Sequence, residues 1–318
     1  MNNNRIEIKA SQTVLVLGGR GFIGRHIVDQ LKTLGANVVI GSRNHQHFQQ
    51  NPHQDEIRRV RLHELHNSTQ CDEFLNGIHI IINAVGILRQ RTGETYDQIH
   101  HLAVSHLVNA CANNDIRYIH ISALGLSNPV KSRFLKSKQL GESAIKNSQA
   151  DWYICRPSLV DGDDGYGAKW FRRVARWPIH MTPANAITIL APIHVKDLAE
   201  AVAKITLKIG FAQTSPERIY ELGGEQKMTV LEYLQTLKKG MPILTIKIPV
   251  WIARLTSHLL DLFHLTPYSF GHYELLQFDN YPKTQQTKLL LGRPYRKLGE
   301  RDAPYGGNIM ETEPRLSS

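Results

Sequence analysis

Near the start of the chain, a glycine-rich turn lies between a predicted strand and a predicted helix. Residues Thr13–Leu17 form a short, apolar run, which is typical of a strand buried in a parallel sheet. Residues Phe22–Leu34 repeat their apolar side chains with the period of an amphipathic helix. The glycines between them have the spacing Gly18-x-x-Gly21-x-x-Gly24. This order of strand, glycine turn and helix restricts the chain to a small set of α/β folds.

The glycine turn has the chemistry of a pyrophosphate-binding loop. Glycines let the backbone turn sharply and let a phosphate approach without a Cβ in the way. The first turn of the following helix offers unpaired N–H groups and the positive end of the helix dipole to an anion. We therefore predict that the turn binds a nicotinamide dinucleotide; the alternative is a structural turn without a ligand. The predicted cofactor-binding residues here are Gly18, Gly19, Arg20, Gly21, Phe22, Ile23 and Gly24.

The first half of the chain alternates predicted strands with predicted helices. The strand candidates are Thr13–Leu17, Asn37–Ile40, Arg58–Leu62, Ile78–Ile82, Ile116–Ile121 and Trp152–Arg156. The helix candidates between them are Phe22–Leu34, Thr95–Asn114 and Ser132–Asn147. Repeated β–α units of this length imply a parallel, right-handed sheet with helices on both faces. The predicted fold class is therefore α/β, with a Rossmann-type doubly wound parallel sheet.

A smaller C-terminal α/β lobe is predicted after this sheet. The regular alternation ends after Pro157, and later elements are predicted at Lys169–Trp177, Val195–Lys208, Val230–Lys239, Leu244–Ile248, Val250–Leu265 and Phe270–Asn280. We assign residues 1–224 to the dinucleotide-binding domain, with 157–186 contributing to the second lobe. Residues 225–300 form the smaller lobe, and the Gly/Pro/Ser-containing residues 301–318 are expected to be a flexible tail.

The residues after the second strand favour NADP(H) over NAD(H). An acidic residue in this place accepts the ribose 2′-hydroxyl and favours NAD(H). Here the strand continues into Gly41, Ser42 and Arg43, with no acid. Ser42 and Arg43, with help from Arg20, could hold a 2′-phosphate, so we predict NADP(H) and keep NAD(H) as an alternative. The other interpretation of Arg43 is a solvated cation in a loop.

Composition argues against several other classes of protein. The formal net charge is +10, but the basic residues are scattered, so no nucleic-acid partner is expected. The three cysteines form no CxxC pair, which fits a reducing compartment. His45, His47 and His53 lack Cys or carboxylate partners at ligand spacing, so no metal site is predicted. No stretch of about 18 apolar residues and no apolar leader is present, and we expect a cytoplasmic protein.

Further motifs resemble those of short-chain dehydrogenases of the extended and atypical kinds. These motifs are Asn83-Ala84-Val85-Gly86, Ile121-Ser122-Ala123, Arg156-Pro157-Ser158-Leu159-Val160 and the block Pro192–Ala199. Together with the glycine turn they extend the resemblance over about residues 12–300. The resemblance implies a Rossmann fold and adds Ala84, Val85, Gly86, Lys138, Arg156 and Pro157 to the expected cofactor-binding residues.

A narrower likeness points to the group around the Rossmann accessory subunit of respiratory complex I and its bacterial relatives. The segments Ile82–His101 and Ile248–Asn280 carry it. Within the second segment, Val250–Leu265 has apolar residues on one face and Arg, Ser and His on the other. We expect either an ordinary core-facing helix or a helix that docks on a membrane surface or a membrane-associated protein. The second interpretation would make the protein peripheral on the inner face of a membrane.

The resemblance also predicts where hydride-transfer chemistry would reside. In these dehydrogenases a Ser positions the substrate carbonyl, a Tyr transfers the proton, and a Lys four residues later lowers the Tyr pKa and holds the ribose. Ser122 and Lys138 match the Ser and the Lys, but Phe134 occupies the Tyr position. Because phenylalanine has no proton to transfer, the standard reductase or epimerase mechanism is compromised. Substitute donors could come from Tyr96, Tyr118, Tyr153 or Tyr166.

Three functions follow as hypotheses. The first is an NADP(H)-binding protein with a structural, assembly or redox-sensing role. The second is an active NAD(P)H-dependent reductase or epimerase with a substitute proton donor. The third is a regulator that reads the redox state of the cofactor, as the NmrA-like group does. Phe134 separates the first hypothesis from the second.

Overall fold

A seven-stranded parallel sheet forms the centre of the protein. The computed structural model describes residues 12–43, 56–91, 93–126, 128–163, 165–183, 188–239, 244–249, 274 and 278–299. The strands of this sheet are β1 Thr13–Leu17, β2 Asn37–Ser42, β3 Glu56–Arg59, β4 Ile80–Asn83, β5 Arg117–Ile121, β6 Trp152–Pro157 and β11 Ile219–Leu222. In spatial order they are β11, β6, β5, β4, β1, β2 and β3, and every neighbouring pair is parallel. This order confirms the predicted Rossmann-type doubly wound sheet.

Helices cover both faces of the sheet. The helices are α1 Phe22–Thr33, α2 Asp72–Leu75, α3 Ala103–Asn113, α4 Arg133–Lys146, α5 Tyr166–Ala175, α6 Val195–Leu207, α7 Phe211–Thr214, α8 Val230–Leu237 and α9 Gln286–Leu291. One apolar core packs α1 and α6 against the sheet, and a second apolar core packs α3 against the opposite face of the sheet. Because both faces are buried, the strands are continuous apolar runs, and Val14, Leu15 and Val16 are each fully buried.

Shorter strands assemble beside the carboxyl ends of the main sheet. They form three two-stranded pairs, of which two are parallel and one is antiparallel. Their bounds are β7 Val160–Asp161, β8 Ile179–Pro183, β9 Ile189–Leu190, β10 Ile193–His194, β12 Met228–Thr229 and β13 Leu244–Ile248. The pairing of β8 with β13 joins the segment before residue 186 to the segment after residue 225. The proposed lobe boundaries remain a prediction.

Two local differences separate the structure from the predicted elements. The third strand lies at Glu56–Arg59, and Leu62 instead begins a short 3₁₀ turn. The predicted helix Thr95–Asn114 contains a π-helical turn at Gln98–Leu102 before α3 begins. At this turn a Cβ on Gly141 of α4 would lie 2.0 Å from the carbonyl oxygen of His100, so glycine permits the close approach.

Parts of the prediction for the C-terminal lobe lie outside the described residues. These are the helix at Val250–Leu265, most of the helix at Phe270–Asn280, and the tail 301–318. Among the described residues, no helix combines the length and the apolar character needed to cross a membrane.

Candidate functional site

The Gly18–Gly24 turn positions the start of α1 directly against the end of β1. Gly18 has φ +73°, a left-handed conformation that favours glycine. The amide of Gly21 donates to the carbonyl oxygen of Gly18 at 2.7 Å, which closes the turn. A Cβ on Gly24 would lie 2.1 Å from that same oxygen, so any side chain there would force the helix away from the turn. The spacing of glycines seen in the sequence thus has a direct steric cause.

The amino end of α1 is arranged as an anion site. Its N-cap is Gly21, so no capping side chain satisfies the first amides of the helix. The ring of Phe22 packs against Gly162 and Gly165, where a Cβ on either glycine would lie within 2.8 Å of ring carbons. The loop after β7 therefore supports the first residue of α1, and the side chain of Arg20 is exposed at the turn.

A cavity of about 430 Å³ opens from this turn across the carboxyl ends of β2, β3 and β4. Its lining combines turn residues with apolar side chains: Leu17, Gly18, Arg20, Gly21, Gly41, Ser42, Arg43, Val60, Leu62, His63, Ala84, Val85, Gly86, Ile87, Glu94 and Ile99. The predicted residues Gly18, Arg20, Gly21, Ser42, Arg43, Ala84, Val85 and Gly86 therefore come together around one cavity. Gly19, Phe22, Ile23 and Gly24 support it from the turn and helix. We call this cavity with its glycine turn the cofactor cradle.

Arg43 reaches the cradle but is paired within it. Its Nη1 donates to both carboxylate oxygens of Glu94, at 2.8 and 3.0 Å. The Arg43 side chain is 59% exposed, whereas that of Glu94 is 12% exposed. His63 lies beside the pair, with its Nδ1 3.5 Å from Glu94 Oε1. No local pattern predicts this pairing, because 51 residues separate Arg43 from Glu94.

A second group lies around the carboxyl end of β5 and helix α4. It combines the predicted residues Ser122, Phe134 and Lys138 with Glu142, which the sequence did not indicate, and we call these four residues the Phe134 corner. Phe134 is 6% exposed. Its ring packs edge-on against Tyr96 and His100, with centroid separations of 5.4 and 5.5 Å. Phe134, which the sequence resemblance predicts at the proton-donor position, is thus part of a packed aromatic group.

The hydroxyl of Ser122 is committed to a buried carboxylate. Ser122 donates to Glu142 Oε1 at 2.6 Å, and Arg156 Nε donates to the same oxygen at 2.9 Å. Arg156 Nη2 donates to Glu142 Oε2, and Lys146 Nζ lies 3.2 Å from the same oxygen. Burial alone would raise the pKa of Glu142, but Arg156 and the Ser122 hydroxyl outweigh it and hold the pKa at about 2. The Ser122 hydroxyl therefore donates its one hydrogen bond to a carboxylate that stays ionised at neutral pH.

Lys138 is a cation beside the Phe134 ring. Its Nζ lies 5.8 Å from the ring centroid, and the side chain is half-buried. Burial lowers the pKa of Lys138 to about 8, which the nearby charge of Glu142 partly opposes. His120 lies on the same side, where burial and the charge of Lys138 lower its pKa to about 3. At neutral pH the corner thus holds one ammonium, one carboxylate and a neutral imidazole.

The four candidate tyrosines have different positions. Tyr118 is fully buried and accepts a hydrogen bond from Asn83 Nδ2 at 2.9 Å. Tyr153 packs with Tyr220 in the core beneath α6, away from the Phe134 corner. The Tyr166 side chain lies outside the described part of the chain. Tyr96 contacts Phe134, and its hydroxyl donates to the carbonyl oxygen of Leu88 at 2.9 Å. Among the described side chains of this set, only Tyr96 reaches the corner.

With this geometry in place, comparison with known proteins identifies the family. The model of a family described as NAD(P)H-binding matches residues 18–176. The chain belongs to that NAD(P)H-binding family. The match includes the glycine turn and the Phe134 corner, and it begins at the first glycine of the turn. The protein therefore binds a nicotinamide dinucleotide, and the shape of the cradle, with glycines where a Cβ would collide, fits such a ligand.

Two relatives and one solved structure extend the comparison. A mitochondrial NADH dehydrogenase [ubiquinone] 1 alpha subcomplex subunit 9 from Dictyostelium discoideum is 27% identical over 261 residues, covering 79% of this chain and 71% of the relative. A ceramide reductase from Caulobacter vibrioides is 26% identical over 216 residues, covering 67% and 65%. A UDP-glucose 4-epimerase from Thermus thermophilus in complex with NAD superimposes with a TM-score of 0.55 at 18% identity, covering 88% of this chain and 99% of its own. These findings confirm an atypical short-chain dehydrogenase fold related to the complex I subunit.

His100 is a buried residue of the site that sequence reasoning did not select. Its Nε2 accepts a hydrogen bond from the amide of Ile87 at 3.1 Å, and its Nδ1 lies 3.0 Å from Ser137 Oγ. Burial, reinforced by the charge of Lys138, holds the His100 pKa well below its usual range. The neutral ring thereby fixes the loop after β4, which forms one wall of the cradle, to helix α4. The π-helical turn that orients this histidine has no clear sequence signature.

Other sequence motifs have structural explanations. His194 caps α6 by accepting the amide of Lys196 at 3.2 Å, and buried Asp197 pairs with Arg293 at 2.7 Å. Arg156 is engaged with Glu142 inside the protein and does not line the cradle, and Pro157 ends β6. The histidines at 45, 47 and 53 lie outside the described residues.

Proposed function

We propose that this protein holds NADP(H) without turning it over, as a structural, assembly or redox-sensing component of a larger system. One observation carries the proposal: Phe134, which the resemblance assigns to the proton-donor position, is buried with its ring packed edge-on against Tyr96 and His100. When bound, the dinucleotide would supply a hydride, but reduction of a carbonyl also needs a proton delivered to its oxygen. Loss of that general acid typically lowers the rate by about 10² to 10⁴-fold.

The state of Ser122 supports the same proposal. A serine that positions a carbonyl must donate a hydrogen bond to the substrate oxygen. The Ser122 proton is directed at Glu142, whose charge is fixed by Arg156. Lys138 keeps its ammonium below pH 8, and it could still hold the ribose hydroxyls of a bound cofactor. The corner thus retains Lys138, the residue that would bind the ribose, and lacks the tyrosine that would transfer the proton.

The test is a gain of activity. Oxidation of NADPH is followed with a panel of aldehydes and ketones for the wild type, Phe134→Tyr and the control Phe134→Leu. We expect no turnover by the wild type or by Phe134→Leu, and measurable turnover by Phe134→Tyr. Turnover by the wild type above the uncatalysed rate would contradict the proposal. Mass spectrometry of the nucleotide released on denaturation identifies the cofactor, and we expect NADP(H).

A second candidate function is a reductase that uses Tyr96 as its proton donor. The contact of Tyr96 with Phe134 favours it, as does the similarity to a ceramide reductase. In this case the Tyr96 hydroxyl must leave the carbonyl oxygen of Leu88, give its proton to the substrate oxygen and regain one from water. Tyr96→Phe would then abolish turnover that the wild type shows, while NADPH binding would persist.

The proposed assembly is peripheral to a membrane, through the Val250–Leu265 segment together with the β8–β13 surface. Support comes from relatives named as NADH dehydrogenase subunits. Exposed apolar and basic residues also lie on the end of α5, on the residues that follow it, and on β8 and β13: Arg173, Arg176, Trp177, Ile179, Leu244, Ile246 and Lys247. Vesicle flotation with and without anionic lipid, beside affinity capture from membranes, distinguishes a lipid surface from a protein partner. Failure of both to retain the protein would contradict this part of the proposal.

A further inference from the structure

The cradle contains a carboxylate that reaches it from an unexpected part of the chain. The second strand ends in Ser42 and Arg43, where NAD-binding relatives of this fold place an acid. The structure places Glu94, from the connection between β4 and α3, in the wall of the same cavity. Among the described residues that line the cavity, Glu94 is the only carboxylate.

The position of Glu94 is fixed by its surroundings. Its backbone pairs with that of Arg91 in both directions, with N···O distances of 2.9 and 3.0 Å. Its carboxylate receives two hydrogen bonds from Arg43 Nη1 and has His63 Nδ1 at 3.5 Å. With a side chain 12% exposed, Glu94 is shielded at the mouth of the cavity. The more exposed Arg43 is therefore drawn toward the cavity by the acid.

Stability does not explain this ion pair. A pair in which one partner is largely exposed contributes little to folding, because water screens it and the long side chains lose freedom. Its location has a clearer consequence for ligand choice. A carboxylate at this place can accept a ribose hydroxyl, but it repels the two negative charges of a 2′-phosphate and competes with that phosphate for Arg43.

We propose that Glu94 determines how strongly the protein prefers NADP(H) over NAD(H), by competing with the 2′-phosphate for the Arg43 guanidinium. Arg43 supplies the attraction for NADP(H), and Glu94 reduces it and supplies an acceptor for NAD(H). The wild type therefore discriminates between the two dinucleotides less strongly than Arg43 alone would allow. The inference rests on the proposed binding of the dinucleotide in the cradle.

The test is the ratio of two dissociation constants, for NADH and NADPH, measured by isothermal titration calorimetry on the full chain. Glu94→Gln keeps the size of the side chain and removes its charge. We expect it to shift the ratio toward NADPH by about tenfold, the scale of one removed charge–charge repulsion near a surface. Arg43→Gln should shift the ratio in the opposite direction, and Glu94→Asp, which keeps the charge, should stay near the wild type.

Glu56→Gln is the matched control, because Glu56 lies at the opposite end of β3 and pairs with Arg58. It changes the net charge equally and should leave the ratio within twofold. A Glu94→Gln ratio within twofold of the wild type, or shifted toward NADH, would overturn the inference. If the wild type binds neither dinucleotide, this inference and the proposed function both fail. If it binds NADH more tightly and Glu94→Gln reverses the order, the inference stands and the proposed NADP(H) preference fails.

Discussion

The cofactor cradle and the Phe134 corner lie on the same sheet but use their polar groups in opposite ways. In the cradle, glycines keep space open, and the amino end of α1 has no side-chain cap. In the corner, Ser122, Glu142 and Arg156 satisfy one another inside the protein, and Phe134 is enclosed by aromatic rings. One region is built to receive a ligand, and the other is already satisfied by its own residues. Binding and catalysis are therefore separable in this fold.

The largest expected effect comes from disrupting the Phe134 corner, whose polar groups bond to one another. Glu142→Gln leaves the buried Arg156 without a compensating charge, and we expect the free energy of unfolding to fall by about 3–5 kcal/mol. Urea unfolding followed by circular dichroism measures it. The control is Glu64→Gln, which removes an exposed acid paired with Arg61 and should change stability only marginally. A loss for Glu142→Gln no larger than that of Glu64→Gln would show that the corner is not internally stabilised.

The same residue predicts a pH dependence. The folded pKa of Glu142 is about 2, below the value of about 4.3 for an unfolded glutamate. The stability that ionised Glu142 contributes is therefore fully present above the pKa of the unfolded state. It is lost as the pH falls toward the pKa of the folded state. The stability difference between wild type and Glu142→Gln should be widest near pH 6 and should close between about pH 5 and 2. A difference that is constant over this range would contradict the assignment.

The next largest effect is expected in the glycine turn of the cofactor cradle. Gly24→Ala places a Cβ against the Gly18 carbonyl oxygen, so α1 must move away from the turn. We expect NADPH affinity, measured by calorimetry, to fall by about 100-fold because the first helical amides lose their alignment with the phosphates. Gly167→Ala is the control, since a Cβ there meets no atom within 4 Å. Equal affinities for the two variants would show that the glycine turn does not hold the cofactor.

The smallest expected effect comes from Lys138 of the Phe134 corner, which we propose also holds the bound cofactor. Lys138 has a pKa of about 8, so its ammonium is lost as pH rises through that value. We expect NADPH affinity to fall by about tenfold between pH 7 and 9, the scale of one charge-assisted hydrogen bond. Lys138→Met should remove this dependence, whereas Lys136→Met, at an exposed position of the same helix, should retain it. A pH profile unchanged by Lys138→Met would exclude Lys138 from the cofactor site.

The sequence predicted what depends on local pattern. The apolar run of β1, the glycine spacing and the amphipathic α1 each follow from neighbouring residues, and the parallel orientation of the strands follows from the repeated β–α units. Strand β11 was not predicted, because it has only four residues and Glu221 interrupts its apolar run. Strand β8 was not predicted either, because prolines flank it.

The polar partners of the site depend on contacts that no local pattern reveals. Glu142 lies in a polar stretch of α4 and would be expected to face solvent, yet it is 2% exposed and paired with Arg156. Glu94 meets Arg43 only because the β4–α3 connection folds over the end of β2. Most residues that line the glycine-turn end of the cavity could therefore be predicted from the sequence, whereas the carboxylates that pair with Arg43 and Arg156 could not.

The most direct test of binding without turnover follows the fluorescence of NADPH mixed with the wild-type protein and saturating carbonyl compounds. We expect an enhanced, blue-shifted signal from bound NADPH that stays constant over hours. A signal that decays only in the presence of the protein would contradict the absence of a proton donor at Phe134. A signal identical to that of free NADPH would contradict the cradle itself.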